Sequence, residues 1–153
     1  MNNPKNLLTS AERHEQLRAI AAAKGGWTVA ETLAHLINAE IARGTIPDEL
    51  PGITIRRVAN GVLIALDPES PAVLPLESAR ALGELVADLA DATSRRSGEF
   101  NLQHGFMTAR RGQAVQVAVP LGGETRNFSR DLARDFARLV LVEVDKAPTA
   151  NAA

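Results

Sequence analysis

The chain has no cysteine, no tyrosine and a single tryptophan, Trp27, and aromatics make up only 3% of its 153 residues. The missing cysteines exclude disulfides, thiol catalysis and cysteine-ligated metals. So few aromatics argue against a base-stacking surface for single-stranded nucleic acid. They also require a core built mainly from Ala, Val, Leu and Ile. No apolar run approaches the ~20 residues that span a bilayer. The first six residues lack the basic-then-apolar order of a signal peptide. The expectation is a soluble, cytoplasmic protein without a membrane partner, of a length that suits one compact domain.

What the sequence does contain is a pattern stated twice, about 54 residues apart. Residues 78–86, Ser-Ala-Arg-Ala-Leu-Gly-Glu-Leu-Val, return in pattern at 132–140 as Leu-Ala-Arg-Asp-Phe-Ala-Arg-Leu-Val. Each copy follows two extended stretches and has an arginine pair before its turn, Arg56-Arg57 and then Arg110-Arg111. A strand–strand–helix unit cannot bury its apolar face alone, so the two units are expected to pack together.

Ahead of them, 9–44 reads as a helical hairpin. Thr9-Ser10-Ala11-Glu12 and Thr28-Val29-Ala30-Glu31 are capping-box patterns, and Gly25-Gly26 and Gly44 are stops. Leu33, Leu36, Ile37 and Ile41 fall on one face of the second helix. The first ββα unit covers 53–92. It has an alternating strand at 53–58, a type I′ hairpin signal at Asn60-Gly61 and a returning strand with Val62, Ile64 and Leu66. A proline-bounded break at 68–75 precedes a helix striped by Leu82, Leu85, Val86 and Leu89. The second unit covers 99–145. It has an extended stretch interrupted at Gly105, a turn at Gly112-Gln113, and alternating Val115, Val117 and Val119. A loop at Leu121-Gly122-Gly123 follows, then Ser129 as helix cap. The turn in this copy counts one residue shorter. Residues 1–8 and 147–153 read as tails. The fold class is α+β: a single domain over 9–146, with the N-terminal α-hairpin followed by two strand–strand–helix repeats. These form one antiparallel sheet with helices packed on one face.

The candidate binding residues are arginines. Residues 25–93 carry four basic against ten acidic residues, a net of −6, whereas 94–138 carry eight against four, a net of +4. Arg126, Arg130, Arg134 and Arg138 recur every four residues, and the last three stripe the final helix. With Arg110 and Arg111 they are the candidate contacts for an anionic partner or interface, because the guanidinium fork suits bidentate contact. Asp131 and Asp135 interleave with the stripe, which favours a solvated face over an anion-binding one. The arginine pairs before each turn equally suit protection of a strand edge.

Residues 27–36, Trp-Thr-Val-Ala-Glu-Thr-Leu-Ala-His-Leu, resemble the short tryptophan-to-histidine stretch of DinB-like metal-binding helical bundles. That resemblance implies a metal ligand at His35, completed by two histidines on another helix. Here no His-x-x-x-His pair exists, so His35 is expected on the helix surface beside Glu31, with no metal bound. A winged-helix reading lacks a separate recognition helix, and its first 93 residues are net acidic. No nucleophile motif or phosphate loop is present, so no catalytic residue and no cofactor is assigned.

The leading expectation is therefore a non-enzymatic protein-binding or regulatory module. It is a homodimer, acting as a bacterial or phage adaptor or inhibitor through a protein–protein interface. The layout is similar to that of secretion-chaperone-like adaptor folds. The alternative is nucleic-acid or nucleotide binding through the arginine-rich second repeat.

Overall fold

The structure is a computed structural model that describes residues 8–101 and 103–147. The chain divides between Asp48 and Glu49 into two compact units.

The first unit is the helical hairpin, α1 (Ala11–Ala23) and α2 (Val29–Ala42). α1 is capped one residue later than the sequence suggests: Ser10 Oγ, not Thr9, accepts the Arg13 N–H at 3.3 Å. At α2 the capping box forms as read. Thr28 Oγ1 accepts the Glu31 N–H at 3.1 Å, and Glu31 Oε2 accepts the Thr28 N–H at 2.8 Å. Gly25 and Gly26 both take positive φ, 92° and 85°, to turn the chain between the helices. Ala21 and Thr32 are the only buried residues of the two helices, whereas Ile20, Leu36 and Ile37 are exposed.

The second unit carries the strands and two further helices. β1 (Thr54–Val58), β2 (Gly61–Ala65) and β3 (Ala72–Leu74) form one antiparallel sheet in that order. Next come α3 (Leu76–Ala90), the four-stranded antiparallel sheet β4 (Gly98–Asn101), β5 (Phe106–Arg111), β6 (Ala114–Ala118) and β7 (Thr125–Ser129), and α4 (Arg130–Asp145). The α+β class and the strand–strand–helix order are as expected, but the strands form two sheets instead of one. Each central strand, β2 or β6, finds its second neighbour within its own segment, in β3 or β7. No ladder between segments is then needed to satisfy its backbone. β3 and β7 escape a reading by pattern. β3 is three residues between Pro71 and Pro75, and β7 offers one buried side chain, Phe128.

Both hairpins close with two-residue turns, Val58 opposite Gly61 and Arg111 opposite Ala114. The turn at Asn60-Gly61 is therefore not the expected type I′: the loop residues are Ala59 and Asn60, and positive φ falls on Gly61 alone. By register Arg57 matches Arg110, not Arg111. The one-residue difference in spacing lies in the β6–β7 connection, because Ile64 pairs with Ala72 and Val117 with Arg126.

α3 and α4 pack on each other and each reaches strands of both sheets. Gly83 permits this approach, since a Cβ there would lie 2.8 Å from Leu141 Cγ. Phe106, Phe136, Ile64, Leu82 and Leu89 are the largest fully buried side chains, and Phe128 stacks on Phe136 with centroids 5.1 Å apart. One buried position is chemically mismatched. Thr108, which by register occupies the place of Ile55, buries a hydroxyl with no hydrogen-bond partner among the described residues. An unmade buried hydrogen bond costs about 1–3 kcal/mol. Thr108→Val is therefore expected to stabilise the protein by ~1 kcal/mol, read as a rise of a few degrees in Tm. An unchanged or lower Tm would show that the hydroxyl is satisfied.

Candidate functional site

The arginines singled out by the sequence do not assemble into one surface. Arg110 turns inward from β5 to the end of α3. Its Nη1 donates to Ser94 O at 2.7 Å, and its Nη2 donates to Leu89 O at 2.9 Å and Asp91 O at 3.0 Å. The last carbonyls of a helix have no partner within it, and a cation there also meets the negative end of the helix dipole. α3 has no basic residue in its own last turn, so the cap comes from the other segment. Arg57 does the same in reverse: from β1 its Nη1 donates to Val144 O in the last turn of α4 at 3.1 Å. Both arginines leave a buried Nε without a partner among the described residues.

The helices exchange a second pair of contacts. Arg134 of α4 donates to Ala90 O at the end of α3 at 3.4 Å, and Arg80 of α3 bonds Asp145 at the end of α4 at 2.6 Å. Arg126 is half-buried on β7. It donates to Leu66 O at 2.7 Å, with its guanidinium carbon 5.8 Å from the Phe128 ring centroid. Arg111 is exposed near Gln116, at 3.5 Å. Arg138 lies 3.9 Å from Asp135, and Arg130 is half-buried as the first residue of α4. Of the six candidates, Arg110 and Arg126 are committed to backbone carbonyls by short bonds, and Arg134 by a longer one. Arg134 ties α4 to the end of α3, Arg110 ties β5 to that same end, and Arg126 ties β7 to the segment after β2.

Asp91, at the end of α3, accepts hydrogen bonds from the backbone N–H and hydroxyl of Thr93, both at 2.8 Å. These bonds, with smaller contributions from the nearby Arg134 and Arg110 charges, hold its carboxyl below the usual range.

A pairing that the sequence did not reveal joins Ser78 to His104. The Ser78 hydroxyl lies 2.8 Å from His104 Nδ1, and the His104 ring stacks on Phe106. Twenty-six residues separate the two, and no motif marks either. The histidine borders a cleft of about 530 Å³ with an apolar floor of Leu85 and Phe106 and a charged wall of Glu84, Asp88 and Arg96. Asp88 and Arg96 pair at 3.2 Å. Ser78 is buried, and the pair fastens the β4–β5 loop to α3.

In the hairpin unit, the Glu31 carboxylate serves the helix cap, and His35 packs edge-on against Trp27 with centroids 5.2 Å apart. Among the described residues no group of three or more His, Asp or Glu is placed to hold a metal ion. No helix among them is long and apolar enough to cross a membrane.

Fold and surfaces together describe an α+β protein of two like-ordered strand–helix segments, cross-capped by arginine, with a helical hairpin ahead of them. No protein-family model, curated protein or solved structure matches the chain.

Proposed function

We propose that the chain is a non-enzymatic protein-binding module, an adaptor or inhibitor, that pairs with a second copy of itself through the α1–α2 hairpin. The observation that carries this reading is the exposure of Leu36 and Ile37, at 41% and 52%, and of Ile20, on a hairpin that buries almost nothing. Helices of 13 and 14 residues are marginal in water without an apolar face to cover. Residues 9–48 carry four basic against five acidic side chains, so two hairpins meet without net repulsion of consequence. An isologous dimer needs a self-complementary patch of this kind.

Light scattering at micromolar protein is expected to show a dimer. Because the contact is apolar, the dimer should persist from about 50 to about 500 mM salt. Leu36→Glu with Ile37→Glu should yield a folded monomer. A wild-type monomer at all concentrations, or a dimer indifferent to the double substitution, overturns the proposal. Nucleic-acid binding through the second segment has less to stand on, since Arg110 and Arg126 are engaged within the fold.

A further inference from the structure

The two segments differ at one sheet edge. β5 has β4 on its outer side: Arg110 donates its backbone N–H to Ser97 O at 2.7 Å, and Thr108 lies opposite Glu99. β1 stands in its own segment where β5 stands in the second, but it is the outer strand of its sheet. The Arg57 N–H, the register equivalent of the Arg110 N–H, is met by a side chain: Glu143 Oε2 accepts it at 2.7 Å. A carboxylate thus takes the place of a strand carbonyl. Residues 47–52, just ahead of β1, contain Pro47 and Pro51 and form no strand.

The overlying helices carry the same difference. On α3, Ser78 and Asp88 are engaged by His104 and Arg96, which flank β4 on either side. Their counterparts on α4, 54 residues on, are Leu132 and Val142, both exposed, at 42% and 45%. The end of α4 lies over β1, because Glu143 and Val144 both bond Arg57. Among the described residues, an outer strand edge covered only by the Glu143 side chain and an exposed apolar flank occur together, in the segment without a fourth strand.

Resting on the protein-binding reading, we infer that the outer edge of β1 and the Leu132–Val142 flank of α4 form a docking groove for an extended segment of a partner protein. The segment adds as a strand antiparallel to β1, as β4 adds to β5. Strand alternation sets its chemistry. The residue opposite Ile55 faces the α4 side and is apolar. The residue opposite Arg56, which is exposed on the other face, is acidic. The β1 strand of a second copy is a poor occupant, because pairing centred on Arg56 would set that arginine directly against its own counterpart. Glu143 guards the edge until the partner strand displaces it.

The test uses the full-length Leu36→Glu, Ile37→Glu variant, so that hairpin pairing does not interfere. Eight-residue peptides alternating Val, Ile, Leu or Phe with Glu are titrated by fluorescence anisotropy, alongside the matching Lys series. The Glu series is expected to bind at least about tenfold more tightly than the Lys series, with Arg56→Glu reversing the order. Glu143→Ala should tighten binding severalfold. Leu132→Lys with Val142→Lys should weaken it about tenfold, as should N-methylation of the peptide backbone. NMR shifts should centre on the Ile55 and Arg57 amides. All substituted side chains except Glu143 are exposed, and circular dichroism checks that each variant folds. The inference is overturned if no peptide binds, if N-methylation is without effect, if the shifts fall elsewhere, or if Glu143→Ala produces a dimer through β1. A wild-type dimer in the absence of peptide binding would sink this inference alone. Peptide binding by a protein that never dimerises would instead remove the hairpin pairing.

Discussion

Gly61→Ala is expected to lower the unfolding free energy by about 4 kcal/mol, from combined backbone strain and overpacking. Gly61 opens β2 at φ 156°, and a Cβ there would lie 2.0 Å from the backbone oxygen of Leu74 and 2.8 Å from its carbon. The obstacle is the backbone of β3, which cannot rotate aside as a side chain would. Relief requires β2 and β3 to separate, which breaks the Val62–Leu74 pairing that anchors the start of α3. Against a total stability of about 5–15 kcal/mol, the loss should appear as a fall in Tm on the order of 15–30 °C. Asn60→Ala is the control: Asn60 is exposed and takes no positive φ, so its replacement should change stability by less than about 0.5 kcal/mol. Equal effects at the two positions would restore the type I′ turn and refute the register described above.

Arg110→Ala is expected to cost about 2–4 kcal/mol, because it strips the carbonyls of Leu89, Asp91 and Ser94 of their shared donor. The damage should localise to the far side of the contact. Hydrogen exchange in the last turn of α3 should quicken more than in β5, which carries the arginine. Arg110→Lys should recover little, since an ammonium cannot span three carbonyls as a planar fork does. Arg57→Ala should follow the same pattern at the end of α4 with a smaller loss, its guanidinium making a single such bond. If Arg110 serves instead as an exposed contact for an anionic partner, Arg110→Ala leaves stability unchanged, and denaturant titration separates the two outcomes.

These arginines show where reading by sequence stops. Capping boxes and glycine stops located the two hairpin helices, and apolar periodicity located α3 and α4, because end signals and burial of one face are both written locally. Periodicity located both hairpins as well, through the alternation around Val62, Ile64, Val115 and Val117. It also marked the pairs Arg56-Arg57 and Arg110-Arg111 as a matched feature, but assigned them to a surface or to edge protection, and only the register pairs Arg57 with Arg110. β5 is an interior strand, and both guanidiniums point under a helix of the opposite segment. Their acceptors lie 87 and 21 residues away. No local pattern encodes such a distance. Ser78 and His104 were invisible as a pair for the same reason.

Composition and period by themselves determined that this is an α+β protein with a helical hairpin ahead of two like-ordered units, since aliphatic spacing and turn residues fix local conformation. Only the tertiary structure decided that the strands divide into two sheets, that the arginines cap each other's segments, and that β1 is the outer strand of its sheet with Glu143 on its edge. Those outcomes depend on which backbone groups remain unsatisfied once the helices pack, and that is settled by neighbours in space.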